Sequence, residues 1–301
     1  MVGIAVVCVV AMSPRARSQA NVPQFRGDFG MTAGTLPSPG LRLGFFYNDY
    51  RADQINAANG DQVGTARPSI DLAALTASYT IPVSVLGAHW GVAAVVPWTT
   101  VNLETVNLDF DGKWGLGDIY VQPVKLGWSV PAADFVAGLG VFMPTGRFNA
   151  GAPDNTGLGM WSYEGSAGST VYIGSNRQGS VSTLLSYQIQ SKVADTERRA
   201  GQLLTLEGGV GHSLLKDVGQ IGLVYYAQWK TTDDHGFILP PPFDGHTRMF
   251  GLGPEVTVPF PMPGLAGIIT LRYYTEFSNR VATQGDSFII SLTLRRPMVS
   301  R

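Results

Sequence analysis

The chain has 301 residues with 21 basic and 22 acidic side chains, and charged residues make up only 14% of it, against roughly 25% in an ordinary soluble domain. Near-neutral charge without a Lys/Arg stripe excludes a basic nucleic-acid binder, and 45% hydrophobic residues exclude a disordered chain. With 37 glycines and 19 prolines, the composition points to a β-rich protein in an unusual solvent.

Residues 4–12 form a short apolar core, and Ser18-Gln19-Ala20 reads as a small-x-small cleavage site before Asn21. Residues 1–20 are therefore expected to be a secretory signal peptide. No Lys or Arg precedes the apolar core, whereas Arg15 and Arg17 follow it, so the true start is expected upstream. Cys8 is the single cysteine and would leave with the signal, which excludes disulfides and cysteine-based sites from the mature chain. Residues 21–40 carry Gly30, Gly34, Pro37, Pro39 and Gly40 without periodicity. They are expected to hang as a periplasmic tail, with a small lumenal plug as the alternative.

From Leu72 to Leu103 there is no Asp, Glu, Lys or Arg, but Pro82, Gly87, Gly91 and Pro97 interrupt the run, which a spanning helix would not tolerate. Its second half alternates instead: Trp90, Val92, Ala94, Val96 and Trp98 share one parity. A period of two predicts a strand. The same alternation recurs at Val181–Ile189, Ile221–Trp229, Ile269–Phe277 and Phe288–Leu294, one face apolar or aromatic and the other small, polar or charged. Strands are predicted at 41–50, 69–81, 88–101, 116–128, 134–143, 159–173, 179–192, 201–213, 219–230, 247–258, 266–278 and 286–296.

The connections at 82–87, 129–133, 174–178, 214–218 and 259–265 are short, whereas those at 51–68, 102–115, 144–158 and 231–246 are long; on the long side, 193–200 and 279–285 are shorter. An even strand count with segregated loop lengths matches a bacterial outer-membrane barrel. The expected fold is all-β: a transmembrane antiparallel up-and-down β-barrel of about twelve strands over 41–296, with 297–301 as a C-terminal tail that lacks a final aromatic residue. Such a chain is expected in the outer membrane of a Gram-negative bacterium, with outer-membrane lipid and the barrel-assembly machinery as partners.

All six tryptophans fall at or just beyond predicted strand ends. Trp90 and Trp98, eight residues apart with equal parity, would sit roughly 20 Å apart along the membrane normal, and Tyr120 with Trp128 repeats that spacing. Trp90, Trp98, Trp128, Trp161 and Trp229 are thus the expected aromatic girdles. Pro123 and Pro254 lie inside strands, where a closed barrel has no free edge; both are assigned to bulges, which could also reverse parity near Lys125.

Charges facing lipid at midplane cost about 2–4 kcal/mol for Arg or Lys, so the charged parity must face the lumen. That places Glu164, Glu207, Lys230, Glu255, Arg272, Glu276 and Arg295 inside, with Gln188 and Gln228. Glu207, Glu255 and Arg272 should lie near mid-depth, the last two as a diagonal pair offset by about three residues. Either these groups form a polar constriction that selects permeants, or they fill the lumen of a small barrel. Tyr226 and Tyr274 could stack an aromatic solute from the same face.

Asp233, Asp234, His235, Asp244 and His246 share the loop 231–246 with Pro240-Pro241-Pro242. They could bind a metal or form an acid–His pair, but a stiff solvated loop is the expected reading. His212 and Ser213 are adjacent on a strand and face opposite sides, which excludes a nucleophile–base pair. Asp53 to Asp61, with Asn56, Asn59 and Gly60, could hold calcium weakly; a turn-rich loop is expected. No catalytic residue, metal or cofactor is assigned.

Several segments carry a resemblance. Gly115-Leu116-Gly117-Asp118-Ile119-Tyr120-Val121-Gln122-Pro123, Pro144-Thr145-Gly146-Arg147-Phe148 and Asn155-Thr156-Gly157-Leu158-Gly159-Met160-Trp161 resemble the MetA-pathway phenol-degradation family, which includes SphA-like proteins. So do Leu204-Thr205-Leu206-Glu207-Gly208-Gly209 and the run Tyr225 to Asp234. The resemblance covers roughly residues 40–296. It implies an outer-membrane β-barrel, transporter-like and associated with aromatic-compound or lipid metabolism, and supplies no catalytic residues. The expected function is a channel or transporter for small hydrophobic or aromatic compounds, or lipids, linked to their catabolism. A structural or adhesive surface barrel with a filled lumen is the alternative, and a loop-borne hydrolase a more remote one.

Overall fold

The computed structural model describes residues 26–296 except 65–66, 105–108, 151, 153, 215–217, 237–242 and 244–245. The expected signal peptide and its cleavage site, Cys8, residues 21–25, the triple proline at 240–242, Asp244 and the tail 297–301 lie outside the described residues.

Twelve long strands form one antiparallel sheet: β1 (Gly40–Asn56), β2 (Arg67–Val85), β3 (Ala88–Glu104), β4 (Ile119–Val130), β5 (Ala133–Met143), β6 (Ser162–Ile173), β7 (Gly179–Gln190), β8 (Leu203–Ser213), β9 (Gln220–Lys230), β10 (Arg248–Met262), β11 (Leu265–Arg280) and β12 (Ala282–Arg295). Each pairs with its sequence neighbour, and β12 pairs back onto β1 from Arg42↔Arg295 to Asn56↔Ala282. The sheet is a closed barrel with no free edge. Three short ladders, Gln62–Gly64, Asp109–Asp111 and Gly115–Leu116, extend it at the loop end.

Several strands outrun their predicted ends, through a tighter hairpin or through continued pairing with the neighbour on the other side. Leu86 and Gly87 alone turn β2 into β3, both at positive φ (52° and 77°), as a two-residue hairpin turn requires. β11 and β12 are separated by Val281 alone, at φ 49°, where a seven-residue connection was expected; their mutual ladder ends at Thr275↔Asp286, and beyond it β11 pairs on to β10 and β12 to β1.

Burial is inverted relative to a soluble protein. On β11, Thr270, Arg272, Tyr274 and Glu276 are buried while Leu271, Tyr273 and Phe277 are 39%, 42% and 46% exposed. Greasy side chains outside and polar or ionisable ones inside minimise free energy only when the surroundings are hydrocarbon. This fixes which face of every strand meets the lumen.

The two strand prolines behave differently. At Pro123 the register shifts on both sides, between Gly91 and Ala93 of β3 and between Val121 and Val124 of β4, so the expected bulge is present. It reverses parity: Tyr120 points inward and is buried, while Trp128 lies on the outward parity, so the two do not form the outward pair expected from their spacing. At Pro254 there is no bulge. Leu252↔Thr275 and Glu255↔Arg272 keep one register, and the ladder to β11 merely skips Gly253 and Pro254. The Tyr273 carbonyl lies against Gly253 there, leaving no room for a side chain.

Leu271 faces lipid near the middle of β11. Leu271→Arg is expected to destabilise the barrel by about 2–4 kcal/mol, measured as a shifted guanidinium unfolding curve of the chain folded in lipid vesicles.

Candidate functional site

Glu207 on β8, Glu255 on β10 and Arg272 on β11 sit near the middle of their strands, inward and almost fully buried. Glu255 and Arg272 are directly opposed rather than diagonal, because the β10–β11 turn centres on 263–264 and pairs Met262 with Leu265. Arg272 Nε donates to Glu255 Oε2 as a buried ion pair. Removing one partner of such a pair would strand a charge in a low-dielectric interior.

The remaining donors of Arg272 reach something the sequence did not place. Arg272 Nη1 donates to the carbonyl of Asp28, and Nη2 to that of Phe29 at 3.4 Å. Residues 26–36 therefore run inside the barrel rather than hanging from its mouth. Their single turn of 3-10 helix, Gly30–Thr32, docks on the charged belt: Phe29 N–H donates to Glu207 Oε2 and Met31 N–H to Glu255 Oε2, both at 3.3 Å. The Met31 carbonyl accepts from Ser182 Oγ at 2.6 Å, and that of Gly27 from Tyr274 Oη at 3.0 Å. A short segment cannot satisfy its own backbone groups, so charged and hydroxyl side chains of the wall do so.

Packing is as specific as the hydrogen bonding. Met31 lies in a notch left by Gly209, Gly211 and Gly222, where added side chains would press on its thioether. Leu36 fills the space over Gly91 and Gly127 in the same way. Gly30, at φ +48°, lies so close to Glu255 and Arg272 that an added Cβ would collide with both. Lys125, turned inward by the Pro123 bulge, stands 4.9 Å over the Phe29 ring.

Toward the loop end, Glu276 is a hydrogen-bond hub. It accepts from Tyr50 Oη (2.9 Å), Tyr226 Oη (2.7 Å), Asn279 Nδ2 (3.0 Å) and Gly285 N–H (3.1 Å), with Arg26 at 3.9 Å. Tyr226 and Tyr274 pack on each other at 5.1 Å between ring centres, tilted by 59°, and both are buried, so in this conformation neither offers a free stacking face. Glu164 accepts from Tyr120 Oη (2.7 Å) and Gln188 Nε2 (2.9 Å). Gln228 Nε2 donates to Thr205 Oγ1 at 3.0 Å, and Lys230 pairs with Asp234 at 2.9 Å with both side chains buried.

A second surface lines the same lumen. Phe46, Leu72, Ala74, Val224 and Ile289 are buried and join Met31, Tyr226 and Tyr274 in one apolar cluster. At mid-depth the lumen is thus charged on the β6–β11 side and apolar across β12, β1 and β2.

Trp90 and Trp98 on β3 and Trp161 just before β6 are about two-fifths exposed on the outside. Trp90 and Trp128 lie toward the short turns, and Trp98, Trp161 and Trp229 toward the loops, although the extension of β3 to Glu104 leaves Trp98 within its strand. Trp229 meets Phe250 edge-on at 5.8 Å, and Phe250 stacks on Phe277 at 5.9 Å. In the loops, Asp233 and His246 pair at 2.7 Å in an exposed position, while Asp234 is turned away to Lys230 and the N–H of Gly201. Asn59 and Asp61 bond to each other in a turn. Among the described residues no group of three or more His, Cys, Asp or Glu could hold a metal ion.

The first three motifs that carry the family resemblance meet at the loop end. Asp118 accepts from the N–H groups of Gly146 (3.0 Å) and Leu158 (2.8 Å), and Thr156 Oγ1 donates to the Leu116 carbonyl at 2.6 Å. Burial pushes the Asp118 carboxyl up, against those backbone donors, which pull it down. The motifs are a clasp between two loops rather than a reaction centre.

The chain matches the family described as "Putative MetA-pathway of phenol degradation" over residues 52–292. An outer-membrane channel from Pseudomonas putida F1 superposes with a TM-score of 0.67 at 14% identity, covering 91% of this chain and 99% of that one. The β domain of the Bordetella autotransporter BrkA gives 0.49 at 12% identity, covering 85% and 99%. A monoaromatic hydrocarbon channel, CymD, gives 0.45 at 11% identity, covering 97% and 93%. At 14% identity the likeness to the Pseudomonas putida F1 channel shows the fold. No curated protein matches the sequence.

Gly30→Ala should dislodge residues 26–36 without altering the wall. A Met31→Cys reporter, buried in the parent, is expected to resist maleimide labelling there and to label readily once Gly30→Ala is added.

Proposed function

The chain belongs to the family described as "Putative MetA-pathway of phenol degradation", and from that membership and the lumen geometry we propose that it is a gated outer-membrane channel for small hydrophobic or aromatic compounds. The observation that carries this reading is the segment 26–36, seated across mid-depth and held by Glu207, Glu255, Arg272 and Tyr274. A water-filled pore for polar solutes needs neither an obstruction there nor an apolar wall. A hydrophobic solute needs both: a continuous apolar surface to leave water, and a closure against ions once it has passed.

The apolar cluster of Phe46, Leu72, Ala74 and Ile289 supplies the surface, and the segment 26–36 the closure. The contacts that hold the closure are hydrogen bonds and one ion-pair belt. Each such bond is worth about 0.5–1.5 kcal/mol net, or 1.5–3 where one partner is charged, so the segment can be displaced without unfolding the barrel. The reading places the protein in the outer membrane, exchanging solutes between the exterior and the periplasm. The amino-terminal signal and the aromatic girdles at Trp90, Trp98, Trp128, Trp161 and Trp229 belong to the same proposal.

A barrel permanently filled for structural reasons is the competing reading, favoured by the density of hydrogen bonds around Glu276. Planar-bilayer recording separates the two. A chain lacking residues 26–36 is expected to conduct severalfold more than the full chain, and Gly30→Ala to conduct intermittently; equal, near-zero conductance for all three would leave the filled-barrel reading standing.

A further inference from the structure

One concentration of inward charge is not used by the segment 26–36. Arg42 on β1 and Arg295 on β12 are directly opposed across the seam where the barrel closes, at the short-turn end. Arg42 lies between Leu41 and Leu43, which are 54% and 53% exposed on the outside, so it faces the lumen, and directly opposed residues share a face. Both guanidiniums donate to one hydroxyl, Ser38 Oγ, Arg42 Nη2 at 2.9 Å and Arg295 Nη1 at 3.3 Å.

Like charges placed directly opposite each other destabilise a ladder, yet neither arginine has an ion-pair partner among the described residues. Arg42 Nη1 is moreover a buried donor with no hydrogen-bond partner. On its other side Arg42 is in register with Ser78. Between the Glu255–Arg272 level and the short turns, the acid on the inward parity among the described residues is Asp134, which is taken by Arg177 at 3.7 Å and Tyr172 Oη at 2.5 Å. Ser38, accepting from both arginines, keeps its own proton to donate. Two forked cations and a hydroxyl converging without an anion match the bidentate recognition of a carboxylate.

Deeper on the same strands the wall turns apolar. Past Gly44, Phe46 stands about 13 Å from Arg42 at the rise of an extended strand, beside Leu72, Ala74 and Ile289. We infer that Arg42, Arg295 and Ser38 form a receiving site for the carboxylate of a small acid with an apolar body, aromatic or short aliphatic. Met31 belongs to the same apolar cluster, so the body of the acid and the segment 26–36 compete for it. The inference rests on the channel reading for what the site serves, but binding itself is measurable without transport.

The test is calorimetric titration of the full chain in detergent micelles with sodium benzoate, benzyl alcohol and inorganic phosphate. Benzoate is expected to bind at least about tenfold more tightly than benzyl alcohol, with phosphate a weak competitor. Arg42→Ala with Arg295→Ala should lose that preference while leaving benzyl alcohol unchanged. Arg42→Lys with Arg295→Lys keeps the charge without the fork, should fold even where the alanine pair does not, and should bind benzoate at an intermediate strength. Undiminished benzoate binding in either double variant that folds overturns the site, as does phosphate competing as well as benzoate. Planar-bilayer conductance of the same preparations decides the channel reading separately: arginine-dependent benzoate binding without conductance would remove the channel and leave the site.

Discussion

The structure depends on one constraint: a backbone N–H or C=O exposed to hydrocarbon has no water to bond, at a cost of several kcal/mol per group. Twelve strands satisfy it only because β12 returns to β1, from Arg42↔Arg295 to Asn56↔Ala282. Once the sheet is closed, alternation along each strand sorts side chains into two solvents. Leu271 and Phe288 meet lipid while Arg272 and Ile289 face inward. The gap beside Pro254 and the bulge at Pro123 are tolerable because each interrupts only a pair or two of a continuous ladder.

The inward sorting creates its own electrostatic problem, since Glu207, Glu255, Glu276 and Arg272 are all buried within one narrow tube. The chain resolves it with its own amino-terminal segment. Peptide N–H groups of Phe29 and Met31 face the carboxylates, and peptide carbonyls of Asp28 and Phe29 face the guanidinium. Neutral dipoles thus complete the solvation of charges that have lost water. The segment and the charged belt are one unit, and disturbing either exposes the other.

Much of the barrel was legible in the sequence because period-two alternation is a strong signal wherever one face meets lipid. Glu207, Glu255 and Arg272 could be placed inside from parity alone. Where legibility failed, the cause was local. Tyr120 and Trp128 were paired by counting eight residues, and a single extra residue at Pro123 undid the count. Pro254 carried the same signature and has no bulge, because Gly253 beside it lets the strands approach closely. Residues 26–36 have no periodicity: their partners are backbone groups met by distant side chains, a relation no spacing encodes. The clue that existed was the glycine set at 209, 211 and 222, which entered only the overall glycine count and not as the notch around Met31. The clasp at Asp118 was visible as a motif but not as a clasp, since its partners at 146 and 158 lie on another loop.

That notch has an evolutionary consequence. Since the bare backbone at Gly209, Gly211 and Gly222 is shaped to a single thioether, the wall and the segment inside it cannot drift independently. A methyl gained at Gly211 meets the Met31 sulfur first and calls for a smaller residue at position 31, whereas at Gly209 and Gly222 it also meets the carbonyls of Leu223 and Val210, so those two are held as glycine whatever fills the notch. Across relatives, positions 31 and 211 should change together, while 209 and 222 stay glycine.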